Sequence, residues 1–190
     1  MFEKISFPGE ARVADLEERA RRVSLLVMDV DGVLTAGGMF TDSDGVPVKI
    51  FDVKDGLGLY LLGRAGIKRA IVTGKSSRAV ERRAEELGLE HCLQGALDKG
   101  PAVRELLRAS DCAEDGLCYI GDDLNDLPGL VIAGLACCPA DAAPDVRGRV
   151  HYVCAAKGGR GAVREVCELI LRARGEWDAM VNQWIMGEFK

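Results

Sequence analysis

Five polar side chains in this sequence lie at or near the ends of short apolar runs, where a parallel sheet gathers its functional groups. Asp29 and Asp31 follow the first run, Thr73 follows the second, Asp122 follows a later one, and Lys99 lies between the last two. Carboxylates held together in a low-dielectric site repel one another, and a bound hard cation relieves that repulsion. These residue types therefore predict a site for Mg²⁺ and phosphate.

The same residue types can carry out phosphoryl transfer. A carboxylate beside Mg²⁺ can attack phosphorus and form an aspartyl-phosphate, and a second acid can protonate the leaving oxygen and later activate water. A lysine and a hydroxyl group can stabilise charge on the transferring group. A calcium-binding loop beginning at Asp29 is excluded, because its twelfth position holds Phe40 and not glutamate.

Short apolar runs alternate along the chain with longer amphipathic stretches. The runs predict strands at residues 25–28, 68–72, 91–94, 117–120, 135–138 and 151–154. The stretches predict helices at residues 10–22, 55–64, 76–87, 101–109 and 161–173. This alternation indicates an α/β fold, a three-layer Rossmann-like parallel sheet with helices on both faces. Lys99 falls in the connection before a helix, and ligands bind such sheets at the carboxyl ends of the strands.

Residues 37–52 depart from this alternation. Two β-prone stretches flank Asp44-Gly45, a sequence typical of a hairpin turn. The hairpin is rich in apolar residues and has no evident partner in the core, and an isolated hairpin is marginally stable in water. We expect it to protrude and to assemble with the hairpins of neighbouring subunits. The alternative is that it folds back on its own domain.

Length and composition fit one domain over residues 1–190. The net charge is −5, which disfavours nucleic acid as a partner. No apolar stretch is long enough to cross a membrane, and the N-terminal residues lack the apolar core of a signal peptide, so we expect a cytoplasmic protein.

The 7 cysteines are odd in number and form no CxxC pair, which indicates reduced, mostly buried thiols.

The motifs together resemble those of the haloacid dehalogenase superfamily of phosphohydrolases. They are Asp29-Val30-Asp31-Gly32-Val33-Leu34-Thr35, Thr73-Gly74, Lys99 and Gly121-Asp122-Asp123-Leu124-Asn125-Asp126. The resemblance implies that Asp29 is the nucleophile and a metal ligand. It also implies that Asp31 is the general acid and base, with its main-chain carbonyl on Mg²⁺, and that Asp122 is the remaining protein ligand of the ion.

The resemblance implies catalytic roles for Thr73 and Lys99 and supporting roles for Asp123 and Asp126. Thr73 and Lys99 would hold the phosphoryl group, and Lys99 would also restrain Asp29. Asp123 and Asp126 would support the metal ligands or the waters of the ion. A general acid two residues after the nucleophile separates the phosphatases of this superfamily from its dehalogenases.

The spacing of the motifs leaves no room for a separate cap domain. Only 41 residues separate Asp31 from Thr73, and 25 separate Thr73 from Lys99. An uncapped site must exclude water by other means. We expect a neighbouring subunit to do so.

This capless layout resembles the 3-deoxy-D-manno-octulosonate 8-phosphate phosphatases over residues 25–172. Further matching segments are residues 49–58, 93–95 and 158–165. The resemblance implies a homotetramer that removes phosphate from an eight-carbon sugar acid during lipopolysaccharide precursor synthesis. Some substrate contacts would serve an adjacent subunit. The contacts implied are Asp31, Gly32, Asp52, Lys54, Asp55, Gly56, Gly74, Lys75, Arg83 and Lys99.

Two departures from the pattern of that family bear on the substrate. Tyr60 stands where a basic residue is expected, and Lys75 stands where arginine is frequent. Relatives that act on nine-carbon sugar acid 9-phosphates tend to carry glutamate at the position of Lys75, so a cation there favours the eight-carbon substrate. The alternatives are a nonulosonate 9-phosphate phosphatase and a non-catalytic oligomerisation module.

Two segments near the end of the chain allow more than one interpretation. Gly158-Gly159-Arg160-Gly161 predicts either an anion nest built from backbone amides or a flexible turn before the last helix. The apolar tail at residues 175–190 predicts packing on the core or on a neighbour. By resemblance, it can also close over an active site.

Overall fold

The computed structural model describes residues 13–188, and a parallel sheet forms its centre. The strands are β1 (Leu25–Met28), β2 (Phe40–Thr41), β3 (Pro47–Val48), β4 (Lys68–Thr73), β5 (His91–Gln94), β6 (Leu117–Ile120), β7 (Leu135–Cys138) and β8 (Tyr152–Val153). Six of them pair in the order β5-β4-β1-β6-β7-β8, and every pair is parallel. The predicted parallel sheet is confirmed.

Helices connect the strands and cover both faces of the sheet. They are α1 (Val13–Arg22), α2 (Val53–Arg64), α3 (Arg78–Glu86), α4 (Lys99–Ala109), α5 (Leu127–Ile132), α6 (Pro144–Arg147), α7 (Ala162–Ala173) and α8 (Trp177–Ile185). The expected helix over residues 10–22 is described from Val13 onward, and its first three residues lie outside the described part of the chain.

The central strand β1 shows how the two layers of core are built. Its side chains alternate between the faces because successive residues of a strand point in opposite directions. Leu26 and Met28 pack into the core formed with α1, α2, α3, α7 and α8, and Leu25 and Val27 pack into the core formed with α4, α5 and α6. All four side chains are fully buried, which explains the continuous apolar run.

Two helices begin two residues earlier than the sequence predicted. Asp52 accepts a hydrogen bond from the Lys54 amide and starts α2, and Asp98 accepts one from the Gly100 amide and starts α4. Pro101 is therefore the third residue of α4, where its missing N–H costs no helical hydrogen bond. The placement of Lys99 in a connection is wrong, because Lys99 is the first residue of α4.

The predicted hairpin is present as the antiparallel pair β2–β3. The Asp42 carboxylate accepts hydrogen bonds from the amides of Asp44 and Val46, and Gly45 adopts a φ of 76° in the turn. Several apolar side chains of the hairpin and its flanks are exposed, Met39 at 83% and Ile50 at 64%. Within the described residues, the hairpin thus buries little of its apolar surface.

Two further expectations concern membranes and thiols. Among residues 13–188, no helix is both long enough and apolar enough to cross a bilayer. All seven cysteines are free, and five of them are buried, which confirms the expectation that most of these side chains are buried. The tail contains the short helix α8, and Trp177 at its start packs into the core.

Candidate active site

The polar residues at the strand ends line one crevice at the carboxyl edge of the sheet. The crevice has a volume of about 410 Å³. Its lining comprises Asp29, Asp31, Gly37, Thr73, Gly74, Lys75, Leu97, Asp122, Asp123 and Asn125. A larger cavity of about 570 Å³ lies near the amino edge, between α4 and the turn before β6, away from these motifs.

Asp29 and Lys99 form a buried ion pair at the floor of the crevice. Lys99 Nζ lies 3.0 Å from Asp29 Oδ1 and 2.6 Å from Asp126 Oδ1, and its side chain is fully buried. Burial by itself lowers the pKa of Lys99, but the negative charges of Asp126 and Asp29 outweigh it, and the net direction is upward. Lys99 is therefore a fixed cation beside the candidate nucleophile.

Asp126 connects the residues of the site by accepting four hydrogen bonds. Its Oδ1 accepts hydrogen bonds from Lys99 and from the Tyr119 hydroxyl, at 2.6 and 2.8 Å. Its Oδ2 accepts from the amides of Asp122 and Asp123, at 2.9 and 3.3 Å. Both oxygens are thus used by protein donors, which favours a supporting role for Asp126 over direct binding of a metal ion.

The donor atoms at the centre of the crevice fit Mg²⁺. Ligand oxygens of Asp29 and Asp122 lie within 4.8 Å of each other, with Asp126 supporting them, and the set contains oxygen only, as a hard cation requires. Burial, followed by the charges of Asp126 and Asp29, raises the pKa of Asp122 to about 7. Burial and then the charge of Asp126 raise the pKa of Asp29 to about 6. A cation between these carboxylates would relieve the repulsion.

Gly32 lets Asp122 approach the loop that carries Asp31. A Cβ atom at position 32 would overlap the Asp122 carboxylate, and the φ of Gly32 is 90°, in the region that favours glycine. Asp123 lies at the mouth of the crevice, where its side chain accepts a hydrogen bond from the Leu124 amide. The close approach of Asp122 explains why glycine follows Asp31.

The Asp31 carboxylate stands apart from the cluster of three acids and faces two lysines. Its Oδ1 pairs with Lys49 Nζ, and its Oδ2 lies 3.7 Å from Lys75 Nζ. The Lys49 side chain is 12% exposed, whereas that of Lys75 is 61% exposed. The sequence predicted Lys75 near this site but did not single out Lys49.

The remaining predicted substrate contacts do not line the crevice of their own chain. Lys54 is exposed on the first turn of α2, which Asp52 caps. Arg83 pairs with Glu86 and lies over the Phe51 ring at 5.8 Å. Asp52 and Arg83 line cavities at the base of the hairpin, and Lys54 lies two residues after Asp52.

Two residues of α2 are used in packing between helices. Asp55 Oδ1 accepts a hydrogen bond from the Arg164 amide in the first turn of α7, at 2.8 Å. Asp55 thus caps a helix whose own N-cap position holds Gly161, which has no side chain to offer. Gly56 leaves room for Arg83, because a Cβ atom there would overlap the guanidinium group.

The Gly158–Gly161 segment packs against the loop after Asp31. The Gly158 amide donates to Asp141 Oδ1 at 3.0 Å, and the Gly159 amide donates to the Val33 carbonyl at 2.8 Å. The anion-nest interpretation is wrong for these two amides, since protein acceptors already occupy them.

Sequence reasoning missed two polar partners in the site, Lys49 and Tyr119. Tyr119 lies in the middle of an apolar run, where the pattern shows only a buried strand residue. Lys49 lies in the hairpin, whose pattern carries no signal that one lysine reaches the catalytic loop. Their roles depend on contacts between segments far apart in sequence.

No family model matches the chain. The 3-deoxy-D-manno-octulosonate 8-phosphate phosphatase of Yersinia pestis is 44% identical over 160 residues, 84% of this chain and 86% of the relative. The enzyme of the same name from Escherichia coli K12 is 41% identical over 172 residues, 90% of this chain and 92% of the relative.

Solved structures agree with these relatives. The crystal structure of the enzyme of that name from Moraxella catarrhalis, in complex with magnesium ion, phosphate ion and a KDO molecule, superimposes with a TM-score of 0.89 at 40% identity. It is matched over 91% of this chain and 99% of that one. A haloacid dehalogenase superfamily hydrolase from Legionella pneumophila gives a TM-score of 0.87 at 39% identity, over 91% and 95% of the two chains.

The six-stranded sheet, the acidic cluster at its carboxyl edge and these relatives define a phosphatase of the haloacid dehalogenase superfamily. The superfamily that the sequence motifs predicted is therefore confirmed. At 41 to 44% identity over most of its length, the chain belongs to the 3-deoxy-D-manno-octulosonate 8-phosphate phosphatase family.

Proposed function

We propose that this protein hydrolyses 3-deoxy-D-manno-octulosonate 8-phosphate to the free sugar acid and phosphate. The observation that carries the proposal is the convergence of Asp29, Asp122 and Lys99 in one crevice of a chain that belongs to this family. The reaction would serve lipopolysaccharide precursor synthesis in the cytoplasm, and one catalytic domain over residues 1–190 would carry it out.

Asp29 and Asp31 would act in two half-reactions. In the first, an Asp29 oxygen attacks phosphorus, the bond to the sugar oxygen breaks, and Asp31 gives that oxygen its proton. In the second, Asp31 takes a proton from water, and the water oxygen attacks the aspartyl-phosphate, which releases phosphate and restores Asp29. Thr73 and the buried cation Lys99 would bind the phosphoryl oxygens.

Asp29, Asp122 and the main-chain carbonyl of Asp31 would hold the metal ion. Bound there, Mg²⁺ would neutralise phosphoryl oxygens and orient the phosphorus toward Asp29. Asp123 and Asp126 would support this set. The four hydrogen bonds that Asp126 accepts from protein donors support this division between ligands and supporting residues.

Substrate contacts would come from two places. Asp31, Gly32, Gly74, Lys75 and Lys99 would bind substrate in the crevice of their own chain. The residues around the hairpin base would serve the crevice of an adjacent subunit, with Asp55 acting through its cap on α7. They are Asp52, Lys54, Asp55, Gly56 and Arg83.

We also propose a homotetramer assembled through the hairpins. The exposed apolar side chains of this region support it, since Met39, Ile50 and Val53 are 83%, 64% and 81% exposed. Burying such a patch between subunits would be favourable at roughly 25 cal/mol per Å² of apolar area. Light scattering of the purified protein would measure the mass, and a monomer at micromolar concentration would contradict this proposal.

The deciding experiment compares phosphate release from two substrates with Mg²⁺ present. We expect kcat/KM on the eight-carbon 8-phosphate to exceed that on a nine-carbon sugar acid 9-phosphate. A tenfold preference for the nine-carbon substrate would make the protein a nonulosonate phosphatase. Failure to hydrolyse any sugar phosphate would favour a non-catalytic oligomerisation module.

A further inference from the structure

We propose that Lys49 is a positioning residue that holds the Asp31 carboxylate for proton transfer. Through Lys49, the hairpin contacts the residue that acts as general acid and base. This inference rests on the proposed function, in which Asp31 is the general acid and base. It is carried by one contact between two segments, the ion pair between Lys49 Nζ and Asp31 Oδ1.

The surroundings of Lys49 fix its side chain in place. Lys49 directly follows β3, and it lines a small cavity of about 160 Å³ between the hairpin and the loop after Asp31. Apolar side chains of Phe40, Ile50 and Phe51 line the same cavity. The Lys49 side chain is largely enclosed, at 12% exposure, and its ammonium group is directed toward Asp31.

The two lysines beside Asp31 differ in what they can do. Lys75 is 61% exposed and 3.7 Å away, and such an exposed pair contributes little fixed geometry. Lys49 is 12% exposed and in contact, so it restricts the rotation of the carboxyl group. Because Lys49 occupies Oδ1, the Oδ2 atom on the side of Lys75 is the one left to exchange a proton with the leaving oxygen.

Leaving groups of different basicity test this assignment. An alkyl phosphate expels a strongly basic oxygen that needs the proton from Asp31, whereas p-nitrophenyl phosphate expels an oxygen that departs without it. We measure kcat/KM, which reports the steps up to transfer of the phosphoryl group. For Lys49→Met we expect a loss of about 30-fold or more on the eight-carbon substrate and less than about threefold on p-nitrophenyl phosphate.

Four further variants test whether the role of Lys49 is merely structural. Lys49→Arg restores at least part of the activity on the alkyl substrate, since it keeps the cation. Asp31→Asn shows the same substrate pattern, and adding Lys49→Met to it causes less than about a twofold further loss. Lys157→Met, at an exposed lysine, serves as the matched control and leaves both activities unchanged.

The possible results separate failure of this inference from failure of the proposed function. An equal loss on both substrates, full activity of Lys49→Met, or a large further loss in the Asp31→Asn background overturns it. If the wild type fails on the eight-carbon substrate, the proposed substrate is wrong, and the same ratio is measured on the alkyl phosphate that the wild type hydrolyses best. If the wild type hydrolyses no phosphate ester, the proposed function fails, and this inference fails with it.

Discussion

The backbone of Gly158 packs directly against the carbonyl oxygen of Gly32, in the loop that carries Asp31. A Cβ atom at position 158 would overlap that oxygen, and one at position 32 would overlap the Asp122 carboxylate. The three residues thus form a stack from the segment before α7 to the acidic cluster. Small shifts of Gly158 are transmitted to the catalytic loop because packed backbone has no free space to absorb them.

The first prediction concerns Gly158→Ala. The added methyl group must displace the backbone at Gly32, so we expect a loss of about 2 kcal/mol of unfolding free energy and at least a tenfold loss in kcat/KM. Gly148→Ala is the matched control, since its nearest backbone atom, the Pro144 carbonyl oxygen, lies 3.6 Å from the added Cβ. Chemical denaturation and phosphate release measure both effects. Equal behaviour of the two variants would show that the stack does not constrain the loop.

The second prediction tests the nucleophile with Asp29→Asn. The amide is a poor nucleophile and cannot form the aspartyl-phosphate, so kcat falls by about three orders of magnitude or more. Burial and the nearby Asp126 already disfavour the charged form of Asp29, so the neutral side chain leaves the fold and the oligomeric mass intact. Steady-state kinetics and light scattering make the measurement. More than about a tenth of the wild-type kcat would contradict the assignment.

The third prediction concerns metal removal. Exhaustive chelation should abolish phosphatase activity, and added Mg²⁺ should restore it, because the carboxylates need a cation to bind a phosphate dianion. Mg²⁺ should also raise the melting temperature of the wild type, since binding to the folded state stabilises it. In Asp122→Asn, that increase should largely disappear. Activity that survives chelation would show that the reaction does not require the metal ion.

Much of the fold could be predicted because local patterns determined it. The run Leu25–Met28 is buried on both faces, and the alternation of such runs with helices allows few arrangements other than a parallel sheet. The helix starts were less accurate, since the helices that Asp52 and Asp98 cap begin two residues earlier than expected. Capping depends on one side-chain hydrogen bond, which periodicity does not reveal.

The candidate site likewise has residues that the sequence predicted and residues that it did not. Asp29 and Asp122 lie at the ends of strands that the register of the sheet brings together, so their convergence follows from topology. Lys49 and Gly158 reach the catalytic loop from segments outside that register. Their contacts depend on how the hairpin and the segment before α7 fold onto the loop, and the sequence carries no periodic signal for either.

The last prediction concerns stability and pH at His151, far from the active-site acids. Its Nδ1 accepts a hydrogen bond from the Ala136 amide at 2.9 Å, and burial, followed by the charge of Arg19, lowers the pKa of His151 from 6.5 to about 4. Between these values the unfolded chain binds more protons than the folded one. The contribution of His151 is therefore present above pH 6.5 and is lost as the pH falls toward 4.

His151→Asn tests this, because its side-chain oxygen can still accept a hydrogen bond but does not titrate. Urea unfolding at a fixed protein concentration, from pH 7 to pH 4, gives the free energy of unfolding for both proteins. Relative to the variant, the wild type should lose about 1 kcal/mol on acidification, a value reduced by solvent screening at this partly exposed site. Asp29, Asp55 and Asp122 titrate in both proteins, so they cancel in the comparison. Parallel stability curves would show that His151 is protonated equally in the folded and unfolded states.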